Sequence, residues 1–186
     1  GTPVFSGGVI LNPDGTITVP AGVTAFTVTV PTTQDTTDES NETVPLTIGG
    51  VTATGTIVDD DGAPNIASVE PGAPGAADDA VPEGTDLVYT VTLTNPSATP
   101  VTYPFTLGGG SAGAGDIGAP VFSDGVVLNP DSTITVPAGV TSFTITVPTT
   151  QDPIDEANET VPLTVGGVTA TGTIVDATII NAPSST

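Results

Sequence analysis

Residues 3–59 recur almost unchanged as residues 120–176, so that Pro3 returns as Pro120 after a period of 117 residues. Only nine of the 57 aligned positions differ. A period of this length is a whole domain, since solenoid units run to roughly 20–50 residues. The second copy is preceded by residues 63–119, which have no counterpart before the first copy. The chain therefore reads as two domains. Residues 1–62 are the C-terminal half of one repeat, an incomplete sandwich, and residues 63–186 are one full repeat with a divergent C-terminal tail. Repetition on this scale points to mechanical or spacing work in a tandem array rather than to catalysis.

The composition removes whole chemistries. There are 21 Asp plus Glu and no Lys, Arg, His, Cys, Met or Trp, for a formal net charge of −21. Without His, Cys or Lys there is no imidazole base, thiolate nucleophile, Schiff-base amine or zinc site of the usual kind. Without Lys or Arg nothing holds phosphate, which argues against nucleic acid as a partner. A chain of one charge sign repels itself unless positive charge comes from outside. No salt bridge between side chains is available, so that charge must be solvent cation or bound metal. The chain is nonetheless not of the disordered acidic class: 37% of it is apolar, much of that Val, Ile and Leu in regular patterns. No apolar run is long enough to insert in a membrane.

The apolar pattern alternates with period two. Residues 16–19, 26–30 and 51–58 read as strands in the first copy, 133–136, 143–147 and 168–175 in the second, and 87–93 and 101–107 upstream of it. β-Branched residues suited to a pleated surface dominate these stretches. Turn chemistry falls between them, as in Asn12-Pro13-Asp14-Gly15, Pro20-Ala21-Gly22 and Asn95-Pro96-Ser97. No helical period survives among 19 Pro and 23 Gly. About seven short strands in some 100 residues predict an all-β chain of tandem immunoglobulin-like antiparallel β-sandwiches. A half-sandwich would leave one apolar sheet face wet and one edge open. Two sources can complete it: residues preceding Gly1 in a longer array, or a neighbouring copy that donates strands and so builds a filament.

The carboxylates are clustered. Asp35, Asp38, Glu39 and Glu42 are placed in a loop between strands of the first copy, matched by Asp152, Asp155, Glu156 and Glu159. Asp59-Asp60-Asp61 closes the first copy, Asp78, Asp79 and Glu83 precede strand 87–93, and Asp116 follows the glycine run 108–115. Calcium wants six to eight oxygen ligands in flexible geometry, which several carboxylates gathered at one end of a sandwich would supply. A lone acid such as Asp38 or Asp78 reads as solvated surface. The set Asp35, Glu39, Glu42, Asp59 and Asp61 reads as a metal site, because three consecutive acids with no basic residue anywhere have no other compensation.

These motifs resemble the Calx-beta family of calcium-binding sandwich domains. The shared elements are Asp35-x-x-x-Glu39-x-x-Glu42, its repeat Asp152-x-x-x-Glu156-x-x-Glu159, the closing Ile57-Val58-Asp59-Asp60-Asp61, the opening Pro82-Glu83-Gly84, and Ser111-Ala112-Gly113-Ala114-Gly115-Asp116-Ile117. Ile117 stands where the family has Tyr, and Asp176 closes the second copy without the rest of the acidic triplet. The resemblance implies Calx-beta-type sandwiches with calcium as the cofactor. Its ligands would be Glu83, Asp116, Asp152, Glu156 and Glu159 in the full copy, with Asp176 at the closing position. In the half copy they would be Asp35, Glu39, Glu42, Asp59, Asp60 and Asp61. Acidic arrays of this kind resemble the extender regions of large bacterial surface and biofilm adhesins, which implies an extracellular location and neighbouring repeats of the same array as partners.

Other site readings are weaker. Glycoside hydrolysis uses paired carboxylates, but two Tyr, five Phe and no Trp make a poor sugar platform. Tyr89 and Tyr103 fall on predicted strands and read as core. The run 108–115 lacks the Lys of a phosphate loop and reads as a flexible connection.

Overall fold

The computed structural model describes residues 1–76 and 78–176. Every regular element among them is a β-strand, and the chain divides into two compact units. The first comprises residues 1–35 and 41–58, the second, of the described residues, 36–40, 59–76 and 78–176.

The second unit is a two-sheet sandwich. Its strands are β7 (Ile66–Pro71), β8 (Ala80–Pro82), β9 (Leu87–Leu93), β10 (Val101–Leu107), β11 (Val121–Phe122), β12 (Val127–Leu128), β13 (Thr133–Val136), β14 (Ser142–Val147), β15 (Glu159–Val165) and β16 (Val168–Val175). One sheet runs β12-β13-β10-β15-β16-β8 and the other β11-β14-β9-β7. All pairings are antiparallel except β16 with the short edge strand β8. The period-two alternation places every second side chain between the sheets. Leu87, Tyr89 and Val91 of β9 meet Ile145 and Val147 of β14 and Val161, Leu163 and Ile174 of the facing sheet, all at most 2% exposed. The Tyr89 hydroxyl donates across the sandwich to the carbonyl of Val161, and Tyr103 of β10 donates to the carbonyl of Pro64 at 2.6 Å. Both tyrosines are therefore core residues with satisfied hydroxyls.

The first unit has the same downstream strands without the upstream ones. β1 (Val4–Phe5) pairs with β4 (Val28–Thr29), β2 (Ile10–Leu11) with β3 (Ile17–Thr18), and β5 (Glu42–Ile48) with β6 (Val51–Ile57). Each pair reproduces one of the full repeat: β11 with β14, β12 with β13, β15 with β16. Among the described residues, Val9 is the one buried apolar side chain of this unit. β6 is exposed along almost its whole length, whereas β16, of the same sequence over residues 168–174, alternates into the core.

Two expectations need correction. Glu42 and Glu159 do not lie in loops; each is the first residue of a strand, β5 and β15. The predicted strand 26–30 is reduced to the two residues of β4, because its counterpart β14 owes its six residues to β9, for which the first unit has no equivalent.

Candidate metal centre

The acids of the full repeat are brought together by backbone registry at one end of β15. After β10, residues 108–112 run beside the start of that strand. Gly108 donates from its amide to the carbonyl of Pro162 at 2.9 Å, Ala112 to the carbonyl of Thr160 at 3.2 Å, and Ser111 to the Thr160 hydroxyl at 3.0 Å. In return the Thr160 amide donates to the Ser111 hydroxyl at 2.8 Å. Gly110 makes this approach possible, since a β-carbon there would fall 2.2 Å from the Thr160 carbonyl oxygen. The chain then turns at Gly113, whose amide donates to Asp116 Oδ2 at 2.5 Å, and the Asp116 carbonyl accepts from the Thr150 amide at 2.8 Å. Asp116 is thus pinned from both sides, next to Glu159.

Asp116, Glu156 and Glu159 each present a carboxylate oxygen within 4.8 Å of the other two. Two oxygens on a common calcium are separated by at most about 5 Å, twice a bond of 2.3–2.6 Å, so the three fit one ion. Asp116 and Glu159 are half-buried and Glu156 is exposed, leaving a face for further ligands and water. The electrostatics are those of crowded acids. Desolvation by its neighbours, followed by the negative charges of Asp152, Asp116, Glu83 and Asp176, pushes the Glu156 carboxyl above its ordinary value. Burial likewise raises that of Glu159, followed by the charges of Asp116 and Glu156, a side-chain hydrogen bond with Asp116, and the charge of Glu83.

The remaining predicted ligands of this repeat line the surroundings. Glu83 follows β8, donates its amide to the Val175 carbonyl at 3.1 Å, and accepts from the Gln151 side-chain amide at 3.1 Å. Asp152 caps its own loop, accepting from the Ile154 amide at 2.7 Å. Asp176 follows β16. In the other half of the chain, Asp35 and Glu42 belong to the first unit, whereas Glu39, Asp59, Asp60 and Asp61 belong to the second. Asp59 accepts from the Glu39 amide at 3.0 Å and from the Asp61 amide at 3.4 Å. The segment 36–40 also forms a parallel bridge through Asp38 to the buried Ser97, with amide-to-carbonyl bonds of 3.1 and 2.9 Å.

Ser111, Thr160 and Gln151, which position the carboxylates, are not apparent from charge patterning. The signal that could find the first two is the glycine run, which marks close backbone approach as well as a flexible connection.

No family model and no curated protein matches this chain. Among solved structures it is similar to surface layer protein SbsC, domains 4–9, at 16% identity and a TM-score of 0.36. The match covers 100% of this chain and 22% of that one. A likeness this low carries no functional weight.

Proposed function

We propose that the chain is a non-catalytic repeat of an extracellular bacterial surface protein, an extender of an adhesin or surface fibre stiffened by calcium at its loops and domain junctions. One observation carries this reading: Asp116, Glu156 and Glu159 converge within 4.8 Å in a chain that has no basic side chain to neutralise them. Asp116 comes from the connection after β10, Glu156 from the loop after β14, and Glu159 from the start of β15. An ion held by all three ties three separate segments at one end of the sandwich. It also removes the repulsion that, after desolvation, raises the Glu156 and Glu159 carboxyls. Extracellular modules of this chemistry bind calcium with Kd of about 10⁻⁴ to 10⁻³ M, so ambient extracellular calcium loads them.

The repeat itself supports a spacer. One face of β15 is packed in the core through Val161, Leu163 and Val165, and the acids point to an ion rather than to a substrate cleft. Chelation tests the reading: it is expected to lower the melting temperature and to broaden the distribution of dimensions seen by small-angle scattering. Saturation at 100 times Kd corresponds to about 2.7 kcal/mol of stabilisation. Identical melting curves and scattering profiles in calcium and in chelator would remove calcium from the account.

A further inference from the structure

The first unit carries an open apolar groove of about 450 Å³, lined by Val28, Val30, Val44, Leu46 and Ile57, with Gly55 between them. Their counterparts in the full repeat, Ile145, Val147, Val161, Leu163 and Ile174, are at most 2% exposed. There the cover is β9, whose Leu87, Tyr89 and Val91 are fully buried. Two pairs of glycines mark what is missing. A β-carbon on Gly172 would lie 2.6 Å from Leu87 Cδ2, whereas one on Gly55 meets only the Val44 carbonyl oxygen, at 3.9 Å. A β-carbon on Gly166 would lie 2.7 Å from Ile66 Cγ1, whereas nothing lies within 4 Å of Gly49. Among the described residues β4 has β1 as its one sheet neighbour, and none of them pairs with the side that β14 offers to β9. One sequence of 57 residues thus occurs both with and without its cover, and the covered copy identifies the occupant.

We propose that this groove is an acceptor for a polypeptide segment of the 63–119 type, added as a strand beside residues 25–30. The register follows from β9 on β14: Leu87 opposite Val30, Tyr89 opposite Val28 and Val91 opposite Phe26. Exchange among copies of these 186 residues does not satisfy the groove. Each copy holds two acceptor halves and one donor half, so swapping leaves one acceptor open per copy. The occupant is therefore a half-repeat of the 63–119 type supplied from outside these 186 residues. Its size suits stable association: a buried tyrosine alone removes roughly 150–250 Å² from water. With Leu87, Val91, Ile66 and a full strand of backbone, the contact approaches the ~800 Å² per partner typical of specific complexes. Main-chain pairing gives affinity, and the alternate side chains give specificity.

The test is titration of a synthetic 63–119 polypeptide into the 186-residue protein, with native mass spectrometry and hydrogen exchange as readouts. Chelator is present, so the outcome is independent of calcium. Because both partners are acidic, it is run in about 1 M NaCl, where the screening length is ~3 Å. The expected result is a 1:1 complex that protects residues 25–30 and 44–57 from exchange. Gly55→Val in the protein, harmless to the open groove, is expected to weaken binding roughly 10- to 100-fold by overpacking against Leu87. Tyr89→Ala in the polypeptide gives a second, independent loss. Absence of a complex, or a complex indifferent to both substitutions, overturns the proposal.

Discussion

Gly172 and Leu87 approach so closely that a β-carbon on the glycine would stand 2.6 Å from Leu87 Cδ2 and 2.9 Å from the Tyr89 hydroxyl. Gly172 lies on β16 and Leu87 on β9, so this contact locks the two sheets of the full repeat face to face. Gly172→Ala is accordingly expected to destabilise the second unit by about 1–3 kcal/mol, the usual range for overpacking. Gly55→Ala, at the equivalent place in the first unit, is expected to be neutral or slightly stabilising, because alanine restricts the unfolded chain. Denaturant melts of the two variants check the contrast. Equal losses at the two positions would mean that the faces are packed alike.

Tyr89 supplies the polar link of the same interface. Its hydroxyl donates to the Val161 carbonyl and accepts from the Gly172 amide at 3.2 Å. Tyr89→Phe leaves both backbone groups without that partner, at an expected cost of about 1–3 kcal/mol. Burial, offset in part by the Gly172 bond, pushes the phenol up to about 12 from its ordinary 10.0. A raised value means stability that is fully present below pH 10 and lost as pH climbs through the folded value. Alkaline melting is therefore expected to steepen between pH 10 and 12 in the native protein, and to do so less in Tyr89→Phe.

The pH dependence near neutrality has its sign set by Glu156 and Glu159. Both carboxyls lie above their ordinary 4.5, so the stability they contribute is present below that pH and lost as pH rises through the folded values. Asp14 and Asp131, lowered first by hydrogen bonds from the Thr16 and Thr133 hydroxyls, act in the opposite direction below pH 3.8. Metal-free protein is expected to melt at a lower temperature at pH 7 than near pH 4.5. Glu156→Gln with Glu159→Gln should flatten that slope, and calcium should reverse it. A metal-free melting temperature that rises from pH 4.5 to 7 contradicts this assignment.

The strands that could be read from sequence are those with clean alternation: residues 87–93, 101–107, 133–136 and 168–175 form β9, β10, β13 and β16 with those bounds. β15 is masked by Pro162, a residue that argues against a strand interior. Here it is tolerated, because β10 pairs with β15 only from Leu163 to Val165. β8 has only three residues, too few for alternation to register, and in β7 a bulge between Ile66 and Ser68 breaks the alternation. β4 fails for another reason. Residues 25–30 and 142–147 differ at two positions, yet one segment forms two residues of strand and the other six. The difference lies in the partner, which no local pattern encodes. The same holds for the acids. Their spacing suggested a shared cation, but only the pairing of residues 108–112 with the start of β15 selects Asp116, Glu156 and Glu159 from the longer set.

Calorimetric titration of calcium into metal-free protein, alongside the Glu156→Gln/Glu159→Gln variant, bears most directly on the role given to these carboxylates. The predicted result is a site with Kd of about 10⁻⁴ to 10⁻³ M in the native protein that is missing from the variant. Binding that persists unchanged in the variant, or no binding in either protein, contradicts it.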